Sequence, residues 1–489
     1  MKKRLFSALL IFALISIVFV SGCKPDGKTP NGEGSKPVTG ITLQDYKIIY
    51  PKNAYGLEPY CAELLADYIK NVAGMNVEFG DDESATEVHK EILIGKTNRS
   101  ESTAAHGLTY EADEILIQEA QDKIVLYGKD LMMAGAVGQF ASKFVKTDGK
   151  VVGLSKTLTK IKYETVASQN VIVLIGDGMG TNHIEYVKSK NETFNFFGEY
   201  LSNRGEASTF SMGASASNPT AVTDSAAAGT ALGCGVKTYN YYVGMDTSRV
   251  KHKNLVELGG ERGYKTAVVT TDARYGATPS GFTAHVNHRD SYDDIKKQQD
   301  KLVTDGILTY IKGTGGRGTA AENEPDKVVE TDGTGSAGSS GYEMYPFVKE
   351  GLWKIHGDGT NKFFAMIEDD DIDNRSHREA YDKMESVLKR FNRSMGYAFA
   401  FAMAHPGTAL IVTADHETGG LSDDFKWTSA VSYNIRSHTT KNVPIFTYGE
   451  GMNTINGKVV GTDVVVNTDI PKHIATIMGA ETFPMPLTV

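Results

Sequence analysis

Acidic residues follow four apolar segments of this 489-residue sequence, and two of those segments also lead to histidines. The acids are Asp177, Asp272, Glu368 with Asp373, and Asp415, and the histidines are His377 and His416. Carboxylates gathered at one edge of a sheet repel each other unless cations neutralise them, so the pattern predicts a cluster of metal ions. Histidine and carboxylate ligands without thiolate are typical of catalytic zinc, whereas an all-oxygen set of Asp, Glu and Thr suits magnesium.

Ser225 is the candidate nucleophile, because it lies in the segment TDSAAAGT, whose small residues let the backbone approach a substrate closely. A helix that begins here would direct its amide groups at an anion. No Ser-His-Asp order is evident, and none is required, because a metal ion can deprotonate a serine hydroxyl. The spacing of Asp373 and His377 would place both side chains on one face of a helix.

The apolar segments predict the strands that position these residues. They cover Val171–Ile175, Thr266–Thr270, Phe363–Ile367 and Ala409–Thr413. Long helical patterns separate them, most clearly Ala380–Ala404. This alternation predicts an α/β three-layer sandwich with a central, mostly parallel sheet over residues 166–489, and in such sheets functional groups collect at the carboxyl ends of the strands. The Gly-, Ser- and Thr-rich residues 313–341 are typical of a surface loop.

Residues 39–165 predict a separate small α+β domain. Its expected elements are strands at Tyr46–Tyr50 and Glu91–Gly95, a hairpin of Ile115–Ile117 with Lys123–Tyr127, and helices at Cys61–Val72 and Leu131–Val145. The segments YPKNA, AELLADYIK and EILIGKTNR resemble the small domain that precedes the catalytic domain of some glycoside hydrolases. That resemblance implies an accessory domain that contacts glycans, and a packing or spacer domain is the alternative.

The N-terminus resembles a bacterial lipoprotein signal. Basic residues at positions 2–4 precede the apolar run Leu5–Val20, and Cys23 follows shortly after. Residues 1–22 are therefore expected to be a signal peptide that is cut before Cys23, which would carry lipid; an ordinary secretory signal or an uncleaved anchor is the alternative. Residues 23–38 predict a flexible tether, since they are rich in Gly, Pro and Lys. The mature protein is expected outside the cytoplasm, anchored to the membrane at the cell surface or in the periplasm.

The composition excludes two classes of protein, nucleic-acid-binding proteins and cysteine-rich proteins. The sequence has 51 Lys and Arg residues against 60 Asp and Glu, a net charge of −9. No nucleic-acid partner is expected, because binding a phosphate backbone needs a basic surface. Three cysteines are too few for a disulfide framework or a cysteine-rich zinc site, and Cys61 and Cys234 are predicted to be free thiols.

Six segments of residues 166–489 resemble, in order, a bacterial alkaline phosphatase of the metal-dependent, serine-nucleophile kind. They are VIVLIGDGMG, VTDSAAAGTALGCGVKTYNYYVG, GATPSGFTAHVNHR, IEDDDIDNRSH, IVTADHETGG and SHTTKNVPIFTYG. The resemblance spans nearly the whole region. It implies hydrolysis of phosphate monoesters, with release of inorganic phosphate through a covalent phosphoserine.

The resemblance also assigns a role, by position, to each residue of the site. One zinc would be held by Asp177, Asp415 and His416, with Ser225 beside it as the attacking group. The second zinc would be held by Asp373, His377 and His438. One magnesium would be held by Asp177, Thr278 and Glu368, with Asp177 bridging. Arg289 would bind the substrate phosphate, since its planar fork can pair with two oxygens.

The sequence departs from the family pattern at three places. Gly276 stands where an acid or histidine is common, Asn374 where Lys or His is common, and Asp369–Asp371 where a glycine is common. The first two positions bear on occupancy of the magnesium site and on phosphate release. The acidic run is typical of a solvated loop.

Several neighbouring residues have ordinary structural interpretations. Asp224 is expected to orient Arg289 or to cap a helix. Tyr239, Tyr241 and Tyr242 are expected to pack in the core, with a place at the substrate mouth as the alternative. His285 and His288 are expected to pack or to bond a ligand from outside the metal shell.

Two other functions stay open. One is a phosphodiesterase of the same superfamily, and the other is a glycan-binding surface protein whose phosphatase domain has decayed. Arg289 and the serine segment favour the monoesterase, and the complete ligand set argues against decay. The family is often dimeric, so a homodimer is a further expectation.

Overall fold

The computed structural model of the protein describes residues 40–54, 56–191, 193–215, 218–313, 344–357, 359–432 and 435–487. The predicted signal peptide, Cys23, the tether and all but the first residue of the predicted surface loop lie outside these ranges. The described residues belong to one compact unit, Gly40–Val489. No helix in the described part of the chain is both long and apolar enough to cross a membrane.

Two main sheets carry the fold. Their strands are β1 (Lys47–Tyr50), β2 (Glu78–Asp81), β3 (Glu91–Ile94), β4 (Glu114–Ala120), β5 (Lys123–Gly128), β6 (Lys160–Lys162), β7 (Asn170–Gly176), β8 (Asn203–Ser208), β9 (Lys265–Thr270), β10 (Tyr310–Gly313), β11 (Phe363–Asp369), β12 (Thr408–Thr413), β13 (Val443–Tyr448) and β14 (Val464–Val466). Short strand pairs join Ile41–Thr42 to Lys150–Val151, Ser211–Ser215 to Asn218–Ala221, Glu417–Thr418 to His438–Thr439, Val431–Ser432 to Ile435–Arg436, and Thr454–Ile455 to Lys458–Val459.

Helices alternate with these strands. They are α1 (Glu58–Ala73), α2 (Ser100–His106), α3 (Met132–Gln139), α4 (Thr181–Lys190), α5 (Ser225–Cys234), α6 (Leu255–Glu261), α7 (Ala277–Gly281), α8 (Tyr292–Thr304), α9 (Tyr345–His356), α10 (Asp371–His377), α11 (Tyr381–Ala404) and α12 (Asp469–Ile477). Short 3-10 turns occupy Leu43–Asp45 and Phe197–Tyr200, and a π-helical turn at Phe140–Phe144 extends α3.

The larger sheet has eight strands in the order β10-β9-β11-β7-β12-β13-β8-β14. The first five are parallel to one another, β13 is antiparallel to both of its neighbours, and β14 is parallel to β8. The predicted α/β sandwich with a mostly parallel sheet is therefore confirmed. All four apolar segments form strands in the parallel part of this sheet, because a strand that is covered on both faces favours apolar residues.

The register of this sheet brings the functional residues to one edge. Thr270 pairs with Glu368, and Ile175 pairs with both Glu368 and Thr413. Four parallel strands therefore end at the same level. The acids that follow them emerge together at the carboxyl edge, as the sequence predicts.

The N-terminal region forms a six-stranded sheet in the order β2-β1-β3-β5-β4-β6. Strands β2, β1, β3 and β5 are parallel, and β4 and β5 form the predicted antiparallel hairpin. Helix α1 ends at Gly74, whose left-handed backbone (φ +66°) suits glycine. The expected strands and helices of this region are confirmed; the boundary near residue 165 stays a prediction.

This region packs tightly on α11. A Cβ atom built on Gly138 of α3 would lie 2.0 Å from the carbonyl oxygen of Ala404, so only glycine allows the two backbones to come this close. The Tyr163 hydroxyl donates to the Met403 carbonyl (2.6 Å), and the Tyr397 hydroxyl donates to Asp67 of α1 (2.7 Å). The N-terminal region is therefore continuous with the core of the larger sheet. Cys61 and Cys234 are buried free thiols, as predicted.

Candidate metal centre and nucleophile

Asp177 stands at the end of β7 and is 2% exposed. The chain turns sharply after it at Gly178, which has a φ of +76°. A Cβ atom on Gly178 would lie 2.7 Å from the Cα atom of Asp373. The glycine at position 178 therefore allows Asp177, of the first predicted zinc set, to come close to Asp373, of the second.

The predicted nucleophile lies beside the first predicted zinc set. His416 Nε2 is 3.3 Å from Ser225 Oγ, 3.2 Å from Asp415 Oδ2 and 3.6 Å from Asp177 Oδ1. Ser225 is buried and is the first residue of α5. Residues from three separate segments, Asp177, Ser225 and Asp415, thus meet around the Nε2 atom of His416.

The second predicted zinc set also comes together. His377 Nε2 lies 3.1 Å from Asp373 Oδ2, and His438 Nε2 lies 3.4 Å from Asp373 Oδ1 and 3.1 Å from His377 Nε2. His438 Nδ1 is 2.8 Å from the Thr223 carbonyl oxygen, and His377 Nδ1 bonds the Arg436 carbonyl. A ring N–H that donates to a carbonyl leaves the other ring nitrogen free to bind a metal.

Asp373 belongs to two groups that could each hold a metal ion. Within one group, one ligand atom from each of Asp373, His377 and His438 lies within 4.8 Å of the others. The same holds for Asp177, Asp373 and His416. The resemblance assigns Asp373 to one zinc only, and its place between the two groups was missed. So was Thr418, whose hydroxyl donates to Asp373.

The predicted magnesium residues occupy the adjoining edge of the sheet. Thr278, at 1% exposure, lies in α7, and Glu368 near the end of β11 accepts a hydrogen bond from the Thr270 hydroxyl (2.5 Å). A Cβ atom on Gly276 would lie 1.8 Å from Asp272 Oδ2. The Asp272 carboxylate therefore fills the space that a side chain at position 276 would need.

Buried oxygen atoms without hydrogen-bond partners make these residues suitable ligands for cations. Among the described residues, Asp177 Oδ1, Asp415 Oδ2 and Thr278 Oγ1 are buried without a hydrogen-bond partner. A buried polar atom left unpaired is costly, and divalent cations bind such oxygen atoms. The donor set, with imidazole on one side and oxygen alone on the other, suits zinc and magnesium respectively.

The electrostatics favour the same conclusion. Burial raises the pKa of Asp177 well above its ordinary value, and the charges of Asp415 and Asp373 raise it further. Burial and the Asp272 charge raise the pKa of Glu368 to about 8. Burial lowers the pKa of His438, but the hydrogen bond to Asp373, the Asp373 charge, the bond to the Thr223 carbonyl and the Asp415 charge together raise that pKa to about 9. A bound cation would reverse these shifts by stabilising ionised carboxylates and neutral imidazoles.

Asp224 performs both of the roles expected for it. Its Oδ1 atom accepts from the Ala227 amide (2.9 Å) and caps α5. Its Oδ2 atom accepts from Arg289 Nη1 (3.2 Å) and from the Tyr241 amide (3.1 Å). The carboxylate next to the nucleophile therefore holds the predicted phosphate-binding arginine in place.

The interpretation of Asp369–Asp371 as a solvated loop was wrong. Asp369 is fully buried, and Arg390 of α11 pairs with it (Nε to Oδ2, 3.0 Å) and with Asp371 (Nη2 to Oδ2, 3.1 Å). Asn374 donates to Asp370 Oδ2 (2.5 Å). Because the neutralising arginine lies about twenty residues away on another helix, no local pattern could have revealed the pair.

His285 and His288, which precede Arg289 in the sequence, differ in their exposure to solvent. His285 is buried, and its Nε2 atom lies 3.0 Å from Glu257 Oε1, which confirms the packing interpretation. His288 is half exposed and stacks on Tyr241. Tyr241 is itself 53% exposed, so core packing was wrong for this residue.

Comparison with known proteins finds similarity to alkaline phosphatases over this part of the chain. Residues 168–340 match the family model described as alkaline phosphatase, and residues 343–481 match the metalloenzyme superfamily model. Alkaline phosphatase 4 of Bacillus subtilis is 31% identical over 302 residues, which cover 53% of this chain and 64% of that protein. Alkaline phosphatase 3 of the same organism is 29% identical over 293 residues, which cover 52% of this chain and 62% of that protein.

The chain therefore spans less than two thirds of the length of these relatives. Among solved structures, alkaline phosphatase from the Antarctic bacterium TAB5 aligns with a TM-score of 0.49 at 22% identity. The alignment covers 65% of this chain and 100% of that one.

Proposed function

We propose that this chain, which is similar to alkaline phosphatases, hydrolyses phosphate monoesters and releases inorganic phosphate through a covalent phosphoserine on Ser225. One observation carries the proposal. The Ser225 hydroxyl, 3.3 Å from His416 Nε2, directly follows the carboxylate that holds Arg289. A nucleophile, candidate metal ligands and a phosphate-binding cation therefore converge on one buried position.

We propose the same ligands for three cations that the family resemblance assigns. Asp177, Asp415 and His416 would hold one zinc, Asp373, His377 and His438 the second, and Asp177, Thr278 and Glu368 a magnesium. When bound, these ions supply Lewis-acid stabilisation of the attacking and leaving oxygens. The buried, unpartnered oxygens of Asp177, Asp415 and Thr278 support this assignment among the residues described.

The chain's own groups bind and orient the phosphate. The guanidinium of Arg289 presents two N–H groups to phosphate oxygens, and Asp224 restrains it before substrate arrives. The first turn of α5 directs backbone amides towards the same anion. Ser225 then attacks phosphorus in line with the leaving oxygen, and water releases the phosphate from the serine in a second displacement.

The proposal is tested with 4-nitrophenyl phosphate between neutral and alkaline pH. Full-length protein treated with chelator should lose activity and regain it with zinc and magnesium. Ser225→Ala should abolish turnover while keeping its metal content, and the exposed Ser248→Ala serves as the matched control. Acid quenching during turnover should trap a phosphoprotein in the parent protein and none in Ser225→Ala. Full activity in Ser225→Ala would refute the serine nucleophile.

The phosphodiesterase alternative predicts a different substrate order. A diester has one fewer charged oxygen for Arg289 to pair with, so the retained arginine favours monoesters. Turnover of bis(4-nitrophenyl) phosphate above that of the monoester, at the same metal loading, would favour the diesterase.

We also propose that the N-terminal region contacts glycans. A cavity of about 1090 Å³ lies at the carboxyl ends of β1, β3 and β5. Tyr127, Phe197 and Tyr200 supply aromatic surface to it, and Glu58 contributes a buried oxygen that has no partner among the described residues. Aromatic faces and carboxylates are the groups that bind sugar rings and hydroxyls. Calorimetric titration with neutral oligosaccharides, with Tyr200→Ala as the variant, tests this contact.

Localisation follows from the sequence alone. We propose that lipid on Cys23 anchors the protein outside the cytoplasm and that the protein forms a homodimer. Metabolic labelling with a radioactive fatty acid should mark the protein, and Cys23→Ala should remove the label. Sedimentation of protein that starts after Cys23 measures its mass in solution, which should be that of a dimer.

A further inference from the structure

Tyr241 has a backbone conformation that is unusual for an aromatic residue. Its φ of +73° lies in the left-handed region, which favours glycine and is uncommon for bulky side chains. Such conformations persist only where the surroundings hold them, and they cluster at functional sites. An outlier beside the nucleophile therefore calls for a functional explanation.

Hydrogen bonds of the Tyr241 amide and carbonyl groups hold the residue in this conformation. Its amide donates to Asp224 Oδ2 (3.1 Å), the atom that also accepts from Arg289 Nη1 (3.2 Å). Its carbonyl accepts from the Arg289 amide (2.8 Å). The backbone of Tyr241 is thus fixed to the residue before Ser225 and to the phosphate-binding arginine.

The Tyr241 side chain presents an aromatic face to solvent. The ring stacks on His288 at a centroid distance of 5.1 Å and an angle of 4° between the planes. Both side chains are about half exposed. Tyr239 and Tyr242, by contrast, pack edge to face against each other and are partly buried. Of the three tyrosines, Tyr241 is the most exposed, and it alone has the left-handed backbone conformation.

We propose that the Tyr241–His288 stack binds the leaving group of the substrate, so that the protein prefers phosphate monoesters whose alcohol carries a planar aromatic ring, such as a nucleobase. The inference rests on the proposed phosphatase function and adds its substrate class. Arg289 would hold the phosphoryl group, and the stack lies next to it, because His288 directly precedes Arg289 and the Tyr241 carbonyl accepts from the Arg289 amide. Aromatic faces bind nucleobases by stacking with little dependence on base identity.

The test compares two substrates whose leaving groups are both primary alcohols, adenosine 5′-monophosphate and glycerol 1-phosphate. We expect kcat/KM for the nucleotide to exceed that for glycerol 1-phosphate about tenfold, the size of one stacking contact. Tyr241→Gly, which suits the left-handed backbone, and His288→Ala should each reduce this ratio towards one. Tyr241→Phe keeps the ring and should keep the ratio.

The outcomes separate the two proposals. Phe79→Ala removes a similarly exposed aromatic ring from β2 and should leave the ratio unchanged. An unchanged ratio in Tyr241→Gly overturns the stacking proposal while leaving the phosphatase intact. A wild-type protein that hydrolyses neither substrate with zinc and magnesium bound overturns the proposed function, and the stacking proposal with it. A loss of self-association in Tyr241→Gly would assign the ring to a contact between copies and would also overturn it.

Discussion

Substitution of Asp224 separates two tasks that one carboxylate performs. Oδ1 caps α5 through the Ala227 amide, and Oδ2 anchors Arg289 and the Tyr241 backbone. In Asp224→Asn the side-chain oxygen can still cap the helix, but the amide nitrogen would face two N–H donors. Asp224→Ala removes both functions. The pair of variants therefore distinguishes the cap from the arginine anchor.

The structure sets the size of each effect. An N-cap Asp replaced by Ala costs about 1 kcal/mol of stability, whereas Asn caps about as well as Asp. Arg289 and Asp224 are 15% and 13% exposed, so the ion pair is mostly shielded from solvent. Without its anchor, Arg289 must be ordered when phosphate binds, at about 0.5–1.5 kcal/mol for a long side chain. That cost equals a loss of about 2- to 12-fold in phosphate affinity.

Two measurements check this reasoning. In both variants, KM for 4-nitrophenyl phosphate and the inhibition constant of inorganic phosphate should rise together by that factor, and kcat should not fall, because substrate and transition state lose the same interaction. Urea titration should show Asp224→Ala to be about 1 kcal/mol less stable than Asp224→Asn, because only the alanine variant loses the helix cap. If kcat fell while phosphate inhibition stayed unchanged, the anchoring role of Asp224 would be refuted.

Three further predictions follow from particular contacts. Gly138→Ala should destabilise the protein by about 1–3 kcal/mol in urea titration, because the added methyl group meets backbone of α11 at 2.0 Å. Gly276→Ala should weaken Mg²⁺ binding about tenfold in calorimetric titration, because the Asp272 carboxylate, 1.8 Å from the new Cβ position, must move. Zinc binding to chelator-treated protein should release protons and strengthen between pH 7 and pH 9, because the His438 imidazole, with a pKa of about 9, must deprotonate to bind the metal. Calorimetry in two buffers of different ionisation enthalpy measures that release.

Each of these has a matched control or a contrary result. Gly80→Ala, where the added methyl group meets nothing within 4 Å, should leave stability almost unchanged. Equal Mg²⁺ affinity in Gly276→Ala and the parent protein would show that Asp272 has no influence on the cation. Zinc affinity that is independent of pH over this interval would contradict the pKa shifts.

The parts of the fold that could be predicted from the sequence are those set by local pattern. Apolar runs such as Val171–Ile175 identified the central strands because a doubly covered strand tolerates only apolar residues. The acids after those runs identified the edge where the site lies, since parallel strands share one carboxyl edge. The helix cap expected of Asp224 is seen in the structure because it depends on a residue three positions along the chain. Its expected pairing with Arg289 is also seen, although that residue is 65 positions away.

The errors concern interactions between distant segments. The burial of Asp369 depends on Arg390, a residue of another helix. The exposure of Tyr241 depends on a positive φ that hydrogen bonds from two other segments impose. None of these arrangements leaves a periodic pattern in the sequence.

Helix α11 links the N-terminal region to the metal centre. On one side it contacts α1 and α3, where Gly138 allows backbone to meet backbone. On another it carries Arg390, which pairs with Asp369 at the end of β11 and with Asp371 at the start of α10. Helix α10 presents Asp373 and His377 one turn apart. The tight packing of the N-terminal region therefore stabilises the helix that sets the position of two candidate zinc ligands, and this supports a packing role for that region alongside any contact with glycans.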